Sequence, residues 1–138
     1  MLRFATPFAV ALALAACAST GVPAERTVAV TGSIAYRERI ALPPTAQIEV
    51  RLDDVSLADA PARNMATQSF AAEGKQVPFA FSLTVDRADI DPRHSYAVAA
   101  RITDADGKLL FITDTRNSVT FDDRSVIDLG LLKLVQTH

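Results

Sequence analysis

Along most of the chain, apolar residues occupy every second position. Val28, Val30, Gly32, Ile34 and Tyr36 alternate with Thr31, Ser33 and Ala35, and Ile48, Val50 and Leu52 alternate with Gln47, Glu49, Arg51 and Asp53. Phe79, Phe81, Leu83 and Val85 repeat the pattern, as do Tyr96, Val98, Ala100 and Ile102. Successive side chains of an extended strand point to opposite faces, so period two marks a strand with one face buried and one wet. A weaker strand fits Asn64 to Phe70, and Leu109 to Thr113 returns from Asp106-Gly107, a hairpin turn signal. A last strand runs from Ile127 to Val135, preceded by a short one at Ser118 to Phe121.

The breaks between these segments have physical causes. Proline cannot donate to a ladder, so Pro43-Pro44 stops the first strand's continuation and Pro78 predicts an edge or N-terminal strand position. Asp59 and Pro61 mark a loop, and Glu73-Gly74-Lys75 a turn. Asp86 to Arg93 fits one helical turn with Asp86 as N-cap, ended by Pro92. About seven short strands with no long helical period predict an all-β protein, an antiparallel β-sandwich, with a small β-barrel as the alternative.

The first residues follow a different pattern. Met1-Leu2-Arg3 is a short positive segment, Phe4 to Leu14 is apolar, and small residues follow at Ala15 and Ala16. That order is the secretory signal pattern. The run contains Pro7 and is shorter than the roughly 20 apolar residues that cross a bilayer. Leu14-Ala15-Ala16-Cys17 resembles the lipobox of bacterial lipoproteins. Cys17 is the single cysteine, so it has no partner for an internal disulfide. It is the expected lipidation site, cleaved free and acylated with chains such as palmitate. Two or more chains anchor stably where one binds marginally. The expected organisation is 1–16 signal peptide, 17–27 anchor and tether, and 28–136 the β-domain. Ala18 to Arg26 reaches at most about 30 Å fully extended, which keeps the domain near its membrane. Ala18, where Asp would retain a lipoprotein at the inner membrane, favours the outer membrane by resemblance to Gram-negative sorting rules, with the domain facing the periplasm.

Charge and chemistry then narrow the function. A formal net charge of −2 and a pI of 5.6 give no electrostatic basis for nucleic-acid binding. His138 is terminal, and His94 lies in the turn Asp91-Pro92-Arg93-His94, with no second His or Cys available to complete a zinc site. Asp104-Ala105-Asp106-Gly107 has its glycine too early for a calcium loop and reads as a hairpin. Asp53-Asp54 and Asp122-Asp123 read as strand-end charges. There is no nucleophile elbow, phosphate loop or zinc-protease helix. The expectation is therefore a non-enzyme without metal, cofactor or small-molecule substrate.

One segment stands out as a candidate partner-binding site. Arg37-Glu38-Arg39 continues the first strand, and Glu38 has the inward parity of Ile34 and Tyr36. A carboxylate there either ends the core or pairs with a cation such as Arg51 or Arg101. The alternative is a recognition loop of Tyr36, Arg37, Glu38, Arg39, Ile40 and Leu42, with Ile40-Ala41-Leu42 exposed for a partner.

Several runs carry a family resemblance: Tyr36 to Pro44, Ile48 to Leu52, Gly74 to Phe79, Ile90 to Val98, Ala100 to Ile102, and Gly107 to Thr115. They are similar to the YbaY-type lipoprotein family, grouped with the YscW lipoprotein chaperones, or pilotins, of type III secretion systems. The resemblance implies a periplasm-facing lipoprotein with no catalytic residues, acting as a binding or chaperone-like module for an envelope protein such as a secretin subunit. The competing reading is an envelope structural or stress lipoprotein, or an inhibitor of a cell-wall hydrolase.

Overall fold

A computed structural model describes residues 26–137. Eight strands run in chain order: β1 Thr27–Tyr36, β2 Gln47–Asp54, β3 Arg63–Ala71, β4 Phe79–Asp86, β5 Tyr96–Thr103, β6 Leu109–Ile112, β7 Asn117–Val119 and β8 Val126–Gln136. The helical turn expected after β4 is a single 3-10 turn, Arg87–Asp89, whose N-cap Asp86 accepts from the Ala88 N–H.

The strands form one sheet in the order β3-β2-β5-β6-β8-β1-β4, with β7 added to β5. β3 and β4, the two ends of this sheet, come back towards each other. Ser82 N–H of β4 donates to Gln68 Oε1 of β3 at 2.8 Å, and Phe70 meets Phe79 edge-on at 5.9 Å. The result is a nearly closed barrel. The all-β expectation holds, and of the two architectures the chain takes the small barrel, not two packed sheets. Strand twist rolls a continuous sheet onto itself, and the ladder is kept continuous by β8, which pairs with both β6 and β1. The β1–β8 pairing is parallel, a departure from the antiparallel pattern of every other pair. Pro78 leads into β4, an end strand, which satisfies both positions expected for it.

Alternation becomes a barrel interior. β4 reads buried–exposed without exception from Phe79 to Asp86. Tyr36 stacks on Phe111 inside, with ring centroids 3.9 Å apart. Among the described residues no polar or charged residue is fully buried, so the interior is apolar. The Asp104–Lys108 turn is the expected hairpin: the Asp104 carboxylate accepts from the N–H groups of Asp106 and Lys108, and Gly107 holds φ 84°.

One irregularity shapes a surface. The β1–β8 register shifts between Thr31 and Ser33, so that β8 carries an extra residue, a β-bulge at Gly130 with φ 71°. A Cβ on Gly32 would lie 2.7 Å from the Gly130 carbonyl oxygen and 2.9 Å from Phe81 Cζ. The two glycines let the backbones meet, and the phenyl ring of Phe81 fills the interior position that Gly32 leaves empty.

Candidate partner-binding surface

Cys17 and the expected tether as far as residue 25 lie outside the described residues. The barrel nevertheless shows where that segment joins. β1 begins at Thr27, beside Asp86 at the end of β4, and runs ten residues to Tyr36. At about 3.3 Å per residue, its far end lies roughly 30 Å from the point of attachment. The loop between β1 and β2 therefore sits at the end of the barrel away from the start of β1.

That loop contains the candidate residues, and the structure divides them. Arg37, Arg39 and Ile40 are exposed, Ile40 at 47%, whereas Tyr36 and Leu42 turn into the core. The expectation that Leu42 is exposed is corrected: it is 4% exposed, because the loop folds back and plugs the barrel end with its leucine. Two contacts hold this shape. The Tyr36 hydroxyl donates to the Ile40 carbonyl at 2.7 Å. Gln76, from the β3–β4 loop, accepts from the Leu42 N–H at 2.8 Å and donates back to the Leu42 carbonyl at 3.3 Å. A side-chain amide thus supplies both halves of a strand-like pairing to an irregular segment that has no strand neighbour. Burial, and secondarily the Glu38 charge, pushes the Tyr36 hydroxyl pKa up, so it remains a donor.

Glu38 lies at the end of the core, as its parity implies. Its expected ion pairs do not form: Arg51 pairs with Asp53 and Arg101 with Glu49. Both arginines stand on the outward face of the sheet, while Glu38 continues the inward one. One of its carboxylate oxygens is buried without a hydrogen-bond partner.

The end of the barrel where β1 begins carries a cluster of interacting titratable groups around His94. His94 Nδ1 is 2.6 Å from Asp54 Oδ2, and its Nε2 is 3.7 Å from Asp91 Oδ2. Asp54 also accepts from the Ser56 hydroxyl at 2.6 Å and from the Ser56 N–H, and these bonds lead in holding its carboxyl below the usual range. Asp91 is lowered to about 2, chiefly by the Arg93 guanidinium that grips it. The Ser56 hydroxyl gives its proton to Asp54 and its lone pair to the Ser95 N–H, so it is not aligned with the imidazole as a nucleophile would be. A cleft of about 290 Å³ beside His94, bounded by Tyr96, Arg116 and Phe121, falls just short of the usual range for small-molecule pockets. Among the described residues no group of three or more His, Cys, Asp or Glu side chains is arranged to hold a metal ion.

Arg87 closes this end from another side. Its guanidinium donates to the backbone carbonyls of Asp122, Asp123 and Arg124 at 2.8, 3.3 and 2.6 Å, pinning the β7–β8 loop. Neither this clamp, the Gln76 clamp nor the Asp54–His94 contact is legible in sequence. Each joins positions more than 30 residues apart with no local motif.

The described residues thus form a small, nearly closed β-barrel with an apolar interior and a shaped loop at the end opposite the start of β1. Residues 25–131 match the YscW family, the type III secretion system lipoprotein chaperones, and the chain belongs to this family. It is 38% identical to the lipoprotein YbaY of Escherichia coli (strain K12), over 99% of this chain and 81% of that protein. A solved structure of an alternative pilotin from the type II secretion system of Vibrio cholerae superposes with a TM-score of 0.70 at 48% identity, over 81% of this chain and 100% of that one. The similar proteins are lipoproteins and chaperones, not enzymes, and they place the family in the cell envelope.

Proposed function

We propose that this protein is a pilotin-like lipoprotein. Its signal peptide is removed, Cys17 is acylated, and the barrel is tethered to the outer membrane facing the periplasm. There its distal loop engages an envelope protein client such as a secretin subunit. The observation that carries this reading is the β1–β2 loop. It is fastened by Tyr36 and Gln76 so that Arg37, Arg39 and Ile40 project from the end opposite the tether. A pre-shaped loop loses little conformational entropy on binding, and its position leaves it accessible to a periplasmic partner. The similarity to a type II secretion pilotin supports a secretin as the kind of client. The apolar interior and the mutually engaged polar groups of the tether end support a role without catalysis.

The test is deletion of the gene followed by fractionation of the cell's secretins. Loss of secretin multimers from the outer membrane supports the proposal, and unchanged localisation of every secretin refutes it. Anchoring is tested separately. Cys17→Ser should release the protein from membranes and abolish palmitate labelling, and labelling that persists in the variant removes the lipoprotein reading.

A further inference from the structure

The bulge at Gly130 changes which residues of β8 face the interior. Before it, Ile127 is buried and Leu129 partly so; after it, Leu132 and Leu134 are buried. The inward parity moves from odd to even positions, and Leu131 is turned out to solvent with 65% of its surface exposed. It stands opposite Ser33 of β1, and Lys133 stands opposite Ala35. The small side chains of β1 leave a shallow cleft of about 260 Å³ bounded by Ala35, Tyr36, Arg37, Leu131 and Lys133. Its lining is largely apolar and its two charges are cations.

Those cations are uncommitted. Among the described residues no carboxylate lies within ion-pairing distance of Arg37 or Lys133, nor of Arg39 further along the loop. The carboxylate on this stretch of β8, Asp128, is turned onto the Gly130 N–H at 2.8 Å and is occupied with the bulge itself. An acidic chain thus gathers free positive charge around the most exposed leucine but one among the described residues. A projecting apolar anchor with unpaired cations beside it is complementary to an apolar side chain flanked by carboxylates.

We propose that the outward face of β1 and β8 is a docking strip for an acidic protein segment, with Leu131 as the apolar anchor and Arg37 and Lys133 as the cations that select it. This rests on the binding-module reading above and extends its site from the distal loop down the barrel wall. It does not depend on the client being a secretin.

The test uses the full lipidated chain in its own envelope, with a photocrosslinking amino acid in place of Leu131 and, as control, in place of Ala99 on the outward face of β5. Mass spectrometry then identifies the crosslinked segment. Crosslinks are expected at position 131 and not at 99, to a protein segment of net negative charge. The double variant Arg37→Glu/Lys133→Glu should lower their yield about tenfold or more, while Arg37→Lys/Lys133→Arg retains it. Thermal melting of both double variants shows that the fold survives. Crosslinks to lipid, to a second copy of this chain or to a segment without carboxylates would overturn the proposal. So would their absence, or indifference to charge reversal. Secretin localisation is read independently. An acidic partner other than a secretin keeps the docking strip and removes the secretin reading, and secretin mislocalisation without crosslinks at 131 does the reverse.

Discussion

The barrel presents two broad outward faces that handle charge differently. On β2 and β5, Arg101 reaches Glu49 at 3.6 Å, and Asp53 takes both Arg51 at 3.5 Å and the Asn64 amide at 3.0 Å. At β1 and β8, Arg37, just past the end of β1, and Lys133 have no such partners among the described residues and flank an exposed leucine. Exposed ion pairs contribute ~1 kcal/mol or less each, so the difference is not one of stability. It is one of availability: the first face has spent its charges internally, and the second has them free. A face whose charges are already matched gives an incoming chain little to gain.

The contrast can be broken or sharpened by substitution. Gly32→Ala should act most strongly, because its Cβ collides with the Gly130 carbonyl and Phe81 at the bulge that turns Leu131 outward. We expect a loss of about 3 kcal/mol by urea unfolding. A variant as stable as the parent would show that the two-glycine contact does not set the geometry of that face. Gln76→Ala comes next. It frees the Leu42 N–H and carbonyl, should cost about 1–2 kcal/mol, and should speed hydrogen exchange at the Leu42 amide while leaving the β2–β5 amides protected. Tyr36→Phe, which removes one hydrogen bond to the same loop, should cost about 1 kcal/mol in the same assay.

Acid should act at the end of the barrel where β1 begins, not on the free face. The Asp91 carboxyl titrates at about 2 in the fold, against 3.8 for a free side chain. A lowered carboxyl pKa contributes stability above the unfolded value, and that contribution is lost as pH falls through the folded value. Stability should therefore decline between about pH 4 and pH 2, and Asp91→Asn should flatten that decline in urea titrations. Some slope should remain, because Asp54 and Asp122 are also held low, by Ser56 and Arg124 respectively. An unaltered profile would show that the Arg93 grip is absent in solution. The smallest effects concern the faces themselves. Arg101→Ala should cost up to about 0.5 kcal/mol, whereas Lys133→Ala should leave the unfolding midpoint unchanged. Equal losses from the two would erase the distinction between paired and unpaired faces.

Strands were legible because burial on one face writes itself into alternate positions. Each of the four clearest alternating sets lies within a strand, and Asp106-Gly107 forms the hairpin it signals. The short segment expected at Ser118 to Phe121 is β7 at Asn117–Val119. The candidate loop was only half legible. Arg37, Arg39 and Ile40 project as exposed residues, but nothing nearby in sequence indicates that Leu42 is drawn inward by Gln76, 34 positions away.

The amino-acid sequence by itself determined the β class, the strand positions, the turn chemistry and the family. All of these depend on short-range periodicity or on contiguous residues. Tertiary structure alone decided that the sheet nearly closes, that β8 runs parallel to β1, and that a bulge turns Leu131 outward. In the run Leu129-Gly130-Leu131-Leu132, alternation is satisfied equally by either parity. The pairing with β1, where Thr31 stands opposite Asp128 and Ser33 opposite Leu131, sets which leucine meets the core and which meets solvent.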